Sequence, residues 1–284
     1  MRNHSIFRLL AALAFSCLLA GAQDLHPANQ SRPAERNSPN KQADETGGPA
    51  PVHDLNGTWI GPGEAQLMTH IPAMTPAGQA KLKLNIPDPF SGSSNDPWQT
   101  CDPFGMPRSV NNENRILGFA TMPDRVIILE NYGKVWREIW MDGRQLPKNV
   151  GHRGGPSSRW FGYSVGHWEG DKTLVVDTVG MMPESWSDRR GYPHTVDAHV
   201  IERYTRPDHD HLNLTERIDD PMYYTKPFVI ATTAYKWISG QDDPTVAAIP
   251  FADEQVCIPS QAIEYMKVMG IPADEDAATG DKRK

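Results

Sequence analysis

Apolar and polar residues alternate in short runs along most of the chain between residues 56 and 238. Period-two alternation marks a half-buried strand. The runs fall at 56–60, 126–132, 134–141, 163–168, 173–179, 199–205, 211–218 and 228–238. Tight polar turns separate several of them: Asp142-Gly143, then Glu169-Gly170-Asp171-Lys172, then Pro207-Asp208-His209-Asp210. At least eight short strands joined mainly by such turns predict an all-β fold, an antiparallel barrel or sandwich. Helix signals are few. Thr75-Pro76 predicts an N-cap with proline at the first helical position, then a helix over 77–84. A second helix is expected over 259–269, stopped by Gly270 with Pro272 beyond. The expectation is therefore a β-barrel with one or two short peripheral helices.

The hairpin 199–218 is the most informative segment. With its tip at 207–210, Tyr204 lies opposite Asn213, Glu202 opposite Thr215 and Val200 opposite Arg217. One face then carries Glu202 and Arg217 among mixed neighbours. The other carries Arg203 and Glu216 beside Leu212, Leu214 and Ile218. A solvated outer face accounts for the first pair. Arg203 and Glu216 among aliphatic residues need each other or a ligand.

Candidate chemistry gathers near this hairpin. His194 sits in the loop Gly191-Tyr192-Pro193-His194-Thr195, where an imidazole can serve as acid or base. Glu202 or Asp177 is the carboxylate candidate beside it, and Arg137 or Arg203 the cation that stabilises developing negative charge. Aromatic residues suggest a different use. Trp140, Tyr163, Trp168 and Tyr204, with Arg137, are the expected lining for a small, partly apolar ligand. His209-Asp210-His211 offers two metal ligands but no companion spacing, so neither metal nor cofactor is expected. No nucleophile elbow, phosphate-binding loop or dinucleotide fingerprint occurs. Three readings stay open: a binding barrel, a cofactor-independent hydrolase, lyase or isomerase, and a structural envelope module.

The N-terminal composition predicts a domain outside the cytoplasm. Arg2 and Arg8, the apolar run from Leu9 to Leu19 and Ala20-Gly21-Ala22 read as a secretory signal peptide over 1–22. Residues 23–52 read as a disordered linker, 53–271 as the β-barrel domain and 272–284 as a disordered tail. The net charge of −7 falls to −9 once Arg2 and Arg8 leave with the leader. Such a balance argues against nucleic acid as a partner. No further apolar run is long enough for an integral membrane segment. The expected location is periplasmic or extracellular, and the expected partner a small-molecule ligand or substrate. Cys101 and Cys257 remain after cleavage, either as a disulfide or as two buried thiols. A bridge would close a loop of roughly 156 residues and stabilise the fold by about 5 kcal/mol.

Several stretches carry a resemblance. They are 160–178, with Trp160-Phe161-Gly162-Tyr163 and Gly166-His167-Trp168, then His199 to Tyr204, Asp219-Asp220-Pro221-Met222, Trp136 to Trp140, and Asp142-Gly143-Arg144. Together they resemble an uncharacterised family of secreted β-rich proteins of soil and freshwater bacteria. The resemblance spans roughly residues 54–260 and implies the fold, with no established activity. Gly57-Thr58-Trp59 on the first strand is similar to the GxW signature of lipocalin-like barrels. That likeness implies a lipocalin-like barrel in which Trp59 packs across one end.

Overall fold

The fold is seen in a computed structural model, which describes residues 47–62, 66–67, 72–87, 94–111, 116–130 and 135–238. Ten strands are present among the described residues: β1 (Gly57–Ile60), β2 (Gln66–Leu67), β3 (Ile116–Thr121), β4 (Arg125–Glu130), β5 (Val135–Trp140), β6 (Tyr163–Glu169), β7 (Thr173–Val179), β8 (His199–Thr205), β9 (His211–Asp219) and β10 (Phe228–Trp237). β1 and β3 to β10 form a ring that closes where β1 pairs antiparallel with β10, and β2 adds to the same strand β10. The expected all-β barrel is therefore present, and closure removes the free sheet edges.

One pairing departs from the antiparallel expectation: β5 and β6 run parallel. The strand number requires such a departure. Each antiparallel neighbour reverses direction, so a closed ring needs an even number of reversals. Nine strands cannot all alternate. Parallel neighbours also need a long return connection. Residues 141–162 supply it.

The alternation read from the sequence is the inward and outward alternation of the wall. β7 buries Leu174, Val176 and Thr178, and β8 buries Val200, Glu202 and Tyr204. Trp59 is fully buried. Its indole N–H donates to the Leu55 carbonyl at 2.9 Å, and its ring meets Trp237 edge-on. The Arg206 guanidinium lies 4.8 Å over Trp59 and donates to the carbonyls of His209 and Asp54. Gly57 explains the first position of the motif. A Cβ there would lie 1.9 Å from the Trp237 ring, and its φ of +124° is one that glycine tolerates.

The helix α1 (Pro76–Leu82) starts as expected, with the Thr75 hydroxyl accepting from the Gly78 N–H. Two further elements lack a sequence forecast. A single 3₁₀ turn (Pro97–Thr100) is capped by Asp96. The short helix α2 (Arg108–Asn111) has all four residues buried. The expected helix 259–269 and Cys257 lie outside the described residues, as do residues 1–46 and 239–284 in full. Cys101 follows the 3₁₀ turn. Gly48 and Pro49, read as part of the linker, are held against the β8–β9 turn: the Gly48 carbonyl accepts from His209 N–H, and Pro49 bridges Asp208.

The β8–β9 register corrects the sequence reading. Tyr204 faces Leu214, Glu202 faces Glu216 and Val200 faces Ile218. The turn holds five residues, 206–210, and the Arg206 side chain from its first position lies over Trp59. A one-residue slip exchanges the faces of one strand relative to the other. The inner face is then Val200, Glu202, Tyr204, Leu212, Leu214, Glu216 and Ile218, all buried. Arg217, once grouped with Glu202, lies outside.

Candidate functional site

The parallel seam opens the barrel wall. β5 and β6 pair at only two positions, Ile139 with Ser164 and Trp140 with Val165. Upstream of these pairs the chain over 159–162 turns away. The Arg159 N–H donates to Gly180 O, Arg159 O accepts from Gly162 and Met182, and Trp160 O accepts from Met106. Gly162 makes this turn possible. Its φ is +65°, and a Cβ there would lie 2.6 Å from the Val179 carbonyl oxygen. With the 159–162 segment held on its far side, a cleft of about 520 Å³ remains between it and β5. That volume falls within the range of small-molecule sites.

Aromatic side chains wall the cleft: Trp136, Trp140, Trp160, Phe161 and Tyr163. Trp136 is 67% exposed, an uncommon position for so large an apolar group. Trp140 is already stacked by Arg144 at 3.5 Å and by Arg125 at 4.1 Å. Arg159 lies 4.3 Å over the Tyr163 ring, whose hydroxyl donates to Ser157 O.

Arg137 and Ser164 line the cleft from within the wall and link it to a charged layer inside the barrel. Arg137 donates to both carboxylate oxygens of Glu202, at 2.9 Å for the Nη1–Oε1 bond, and to the hydroxyls of Ser164 and Thr178. Tyr204 donates to Glu202 Oε1 at 2.6 Å. Burial opposes the charge on Arg137, but the adjacent Glu202 carboxylate outweighs it and holds the guanidinium pKa above its ordinary value. Burial, reinforced by the Glu202 charge, pushes the Tyr204 phenol well up.

Glu216 stands directly opposite Glu202, and both are fully buried. Two like charges cannot both persist there. Burial first, and Glu202 second, raise the Glu216 pKa well above its ordinary value of 4.5 and favour its neutral form. Glu216 Oε2 accepts from Asn111 Nδ2 at 2.8 Å, which leaves Oε1 as the oxygen open to a proton. Oε1 and Asn111 Oδ1 have no partner among the described residues.

The four residues read as catalytic do not meet. His194 is fully buried in its loop, with Nε2 2.8 Å from Ser185 Oγ and Nδ1 3.0 Å from Thr195 O. Burial lowers its pKa, so the ring is neutral, and Ser185 is buried with it. Glu202 lies inside the barrel. Asp177 lies on the outer side, bonded to His199 at 2.8 Å. Arg203 is also outside and pairs with Glu169, not Glu216.

Of the residues read as ligand-binding, Arg137, Trp140 and Tyr163 line the cleft. Tyr204 is enclosed in the barrel, and Trp168 stacks on His53 at 4.9 Å. The sequence reading missed Trp136, Arg159 and Trp160 as lining. Trp136 on β5 and Trp160 near the end of the long connection to β6 are plain in the sequence as tryptophans, but only the seam shows that they converge. His209 turns inward beside Trp237, whereas His211 is exposed and bonded to Asp208. Among the described residues no group of three metal-ligating side chains converges, and no helix is long and apolar enough to cross a membrane.

Comparison of the chain with family models, with curated proteins and with solved structures finds no match.

Proposed function

We propose that this is an exported barrel protein that binds a small, partly apolar molecule in the cleft at the β5–β6 seam. The observation that carries the reading is the cleft: about 520 Å³, walled by Trp136, Trp160 and Tyr163, with buried polar groups of Arg137 and Ser164 at its base. Apolar walls with a few fixed polar groups are the usual makeup of a small-molecule site. The position differs from that of a barrel-mouth site. The barrel interior holds a packed apolar cluster around Leu117, Ile128, Ile139, Leu174 and Val200, and a charged layer beside it. The ligand therefore enters through the wall.

Export through the leader at 1–22, a Cys101–Cys257 disulfide and membership of the secreted bacterial family belong to the same proposal. They rest on the residues that suggested them. The enzyme alternative has no comparable support, because its acid, base and cation are dispersed.

Calorimetric titration with 2-naphthamide, a neutral flat probe, tests the binding reading. The purified protein binds it, and Trp136→Ala weakens binding about tenfold, the size of an aromatic contact worth roughly 1.4 kcal/mol. Trp136 points outward, so its removal leaves the core intact. Absence of binding, or binding indifferent to Trp136, contradicts the proposal.

A further inference from the structure

The charge of the cleft goes further than its shape. This inference rests on the reading of the cleft as a small-molecule site and specifies the ligand. Arg137, Arg144 and Arg159 face a single carboxylate, Glu138, across the lining. The chain as a whole is acidic, with a net charge of −7. The sign is thus reversed locally.

Most of these charges are already compensated. Arg137 is committed to Glu202, Ser164 and Thr178. Arg144 holds both oxygens of Asp142 through Nε at 2.9 and 3.0 Å. Glu138 accepts from Arg125 at 2.8 Å. Arg159 differs. Its guanidinium rests over Tyr163 and, among the described residues, meets no carboxylate. Its backbone is fixed by bonds to Gly180, Gly162 and Met182, so the exposed side chain projects from an anchored point.

We propose that the ligand is a small organic anion, a flat aromatic or partly apolar body bearing a carboxylate-type group that pairs with Arg159. A cationic ligand would face uncompensated like charge. A neutral one would leave the cation without a counter-charge beside an apolar surface. A guanidinium pre-oriented on an aromatic face presents its donor edge to an oxyanion at reduced entropic cost.

The test compares 2-naphthoate with its neutral analogue 2-naphthamide by calorimetry at low ionic strength. The anion binds about five- to tenfold tighter, and added salt narrows the difference. Arg159→Gln brings the two affinities within about twofold of each other. Arg217→Gln, which removes an equal charge from an exposed site on β9, preserves the preference. Thermal melting verifies that both variants fold. If the amide binds and the anion binds no tighter, the charge inference fails and the cleft reading stands. If the preference survives in Arg159→Gln, the anion is held elsewhere and the inference fails. If neither probe binds at millimolar concentration, both fail.

Discussion

Glu216→Gln should stabilise this protein at neutral pH, although it alters a fully buried side chain. Glu202 on β8, Glu130 on β4, Arg137 on β5, Tyr235 on β10 and Asn111 on α2 act on Glu216 or surround it. Burial and the Glu202 charge raise its folded pKa well above the ordinary value of 4.5. The folded chain therefore keeps a proton that the unfolded chain releases. This proton-linked contribution is full below about pH 4.5 and is lost as pH rises toward the folded pKa. Between those limits the loss is about 1.4 kcal/mol per pH unit. An amide in the same place carries no such dependence. Its carbonyl can take the Asn111 N–H, and its NH₂ group occupies the place of the protonated Oε1. Urea denaturation of both proteins from pH 4.5 to pH 8 isolates the effect, since all other groups titrate alike. The variant's advantage should grow with pH above about 4.5, by up to about 1.4 kcal/mol per pH unit, until pH reaches the folded pKa of Glu216. An advantage that is flat in pH, or a variant that weakens relative to the parent as pH rises, would refute a protonated Glu216.

The remaining predictions address the charged layer, the seam and the cysteines. Arg137→Met should cost about 3–5 kcal/mol in urea unfolding, because it strands the buried Glu202 charge, and Glu202→Leu in the same chain should recover much of that loss; a single-variant cost below about 1 kcal/mol would mean that the pair is not buried as described. Gly162→Ala should lower stability by at least about 1–2 kcal/mol and weaken 2-naphthamide binding, since it meets both a left-handed φ and the Val179 carbonyl; unchanged melting and binding would remove Gly162 from the account of the cleft. Protein recovered from a bacterial periplasm should begin at Gln23, show no reactive thiol when unfolded without reductant, and gain two under reductant; free thiols before reduction would exclude the Cys101–Cys257 bridge.

Sequence pattern and structure part company at identifiable residues. Half-buried strands were legible because the barrel wall has a buried side and a wet side, as along β7 and β8. β3 was not, because Ile116, Leu117, Gly118 and Phe119 are all buried and break the alternation. Thr75-Pro76 marked α1 through chemistry local to the turn. Register depended on the β8–β9 turn, which spans the five residues 206–210. That one-residue difference in turn length decided whether Glu202 faced Thr215 or Glu216, and hence whether its charge belonged to the surface or the interior. The catalytic grouping of His194 with Asp177, Glu202 and Arg203 failed for a related reason. Closeness along the chain says little about facing across a closed barrel. The cleft was legible only in part. Arg137, Trp140 and Tyr163 were recognised as ligand-type side chains, but the parallel seam that assembles them is a property of strand direction, which alternation does not encode.

The most direct test of the central claim is a crystal structure of the protein soaked with 2-naphthamide. The account predicts the naphthalene ring in the seam between β5 and the 159–163 segment, in contact with Trp136 or Trp160. A ring bound inside the barrel or elsewhere on the surface, with the seam empty, would contradict it.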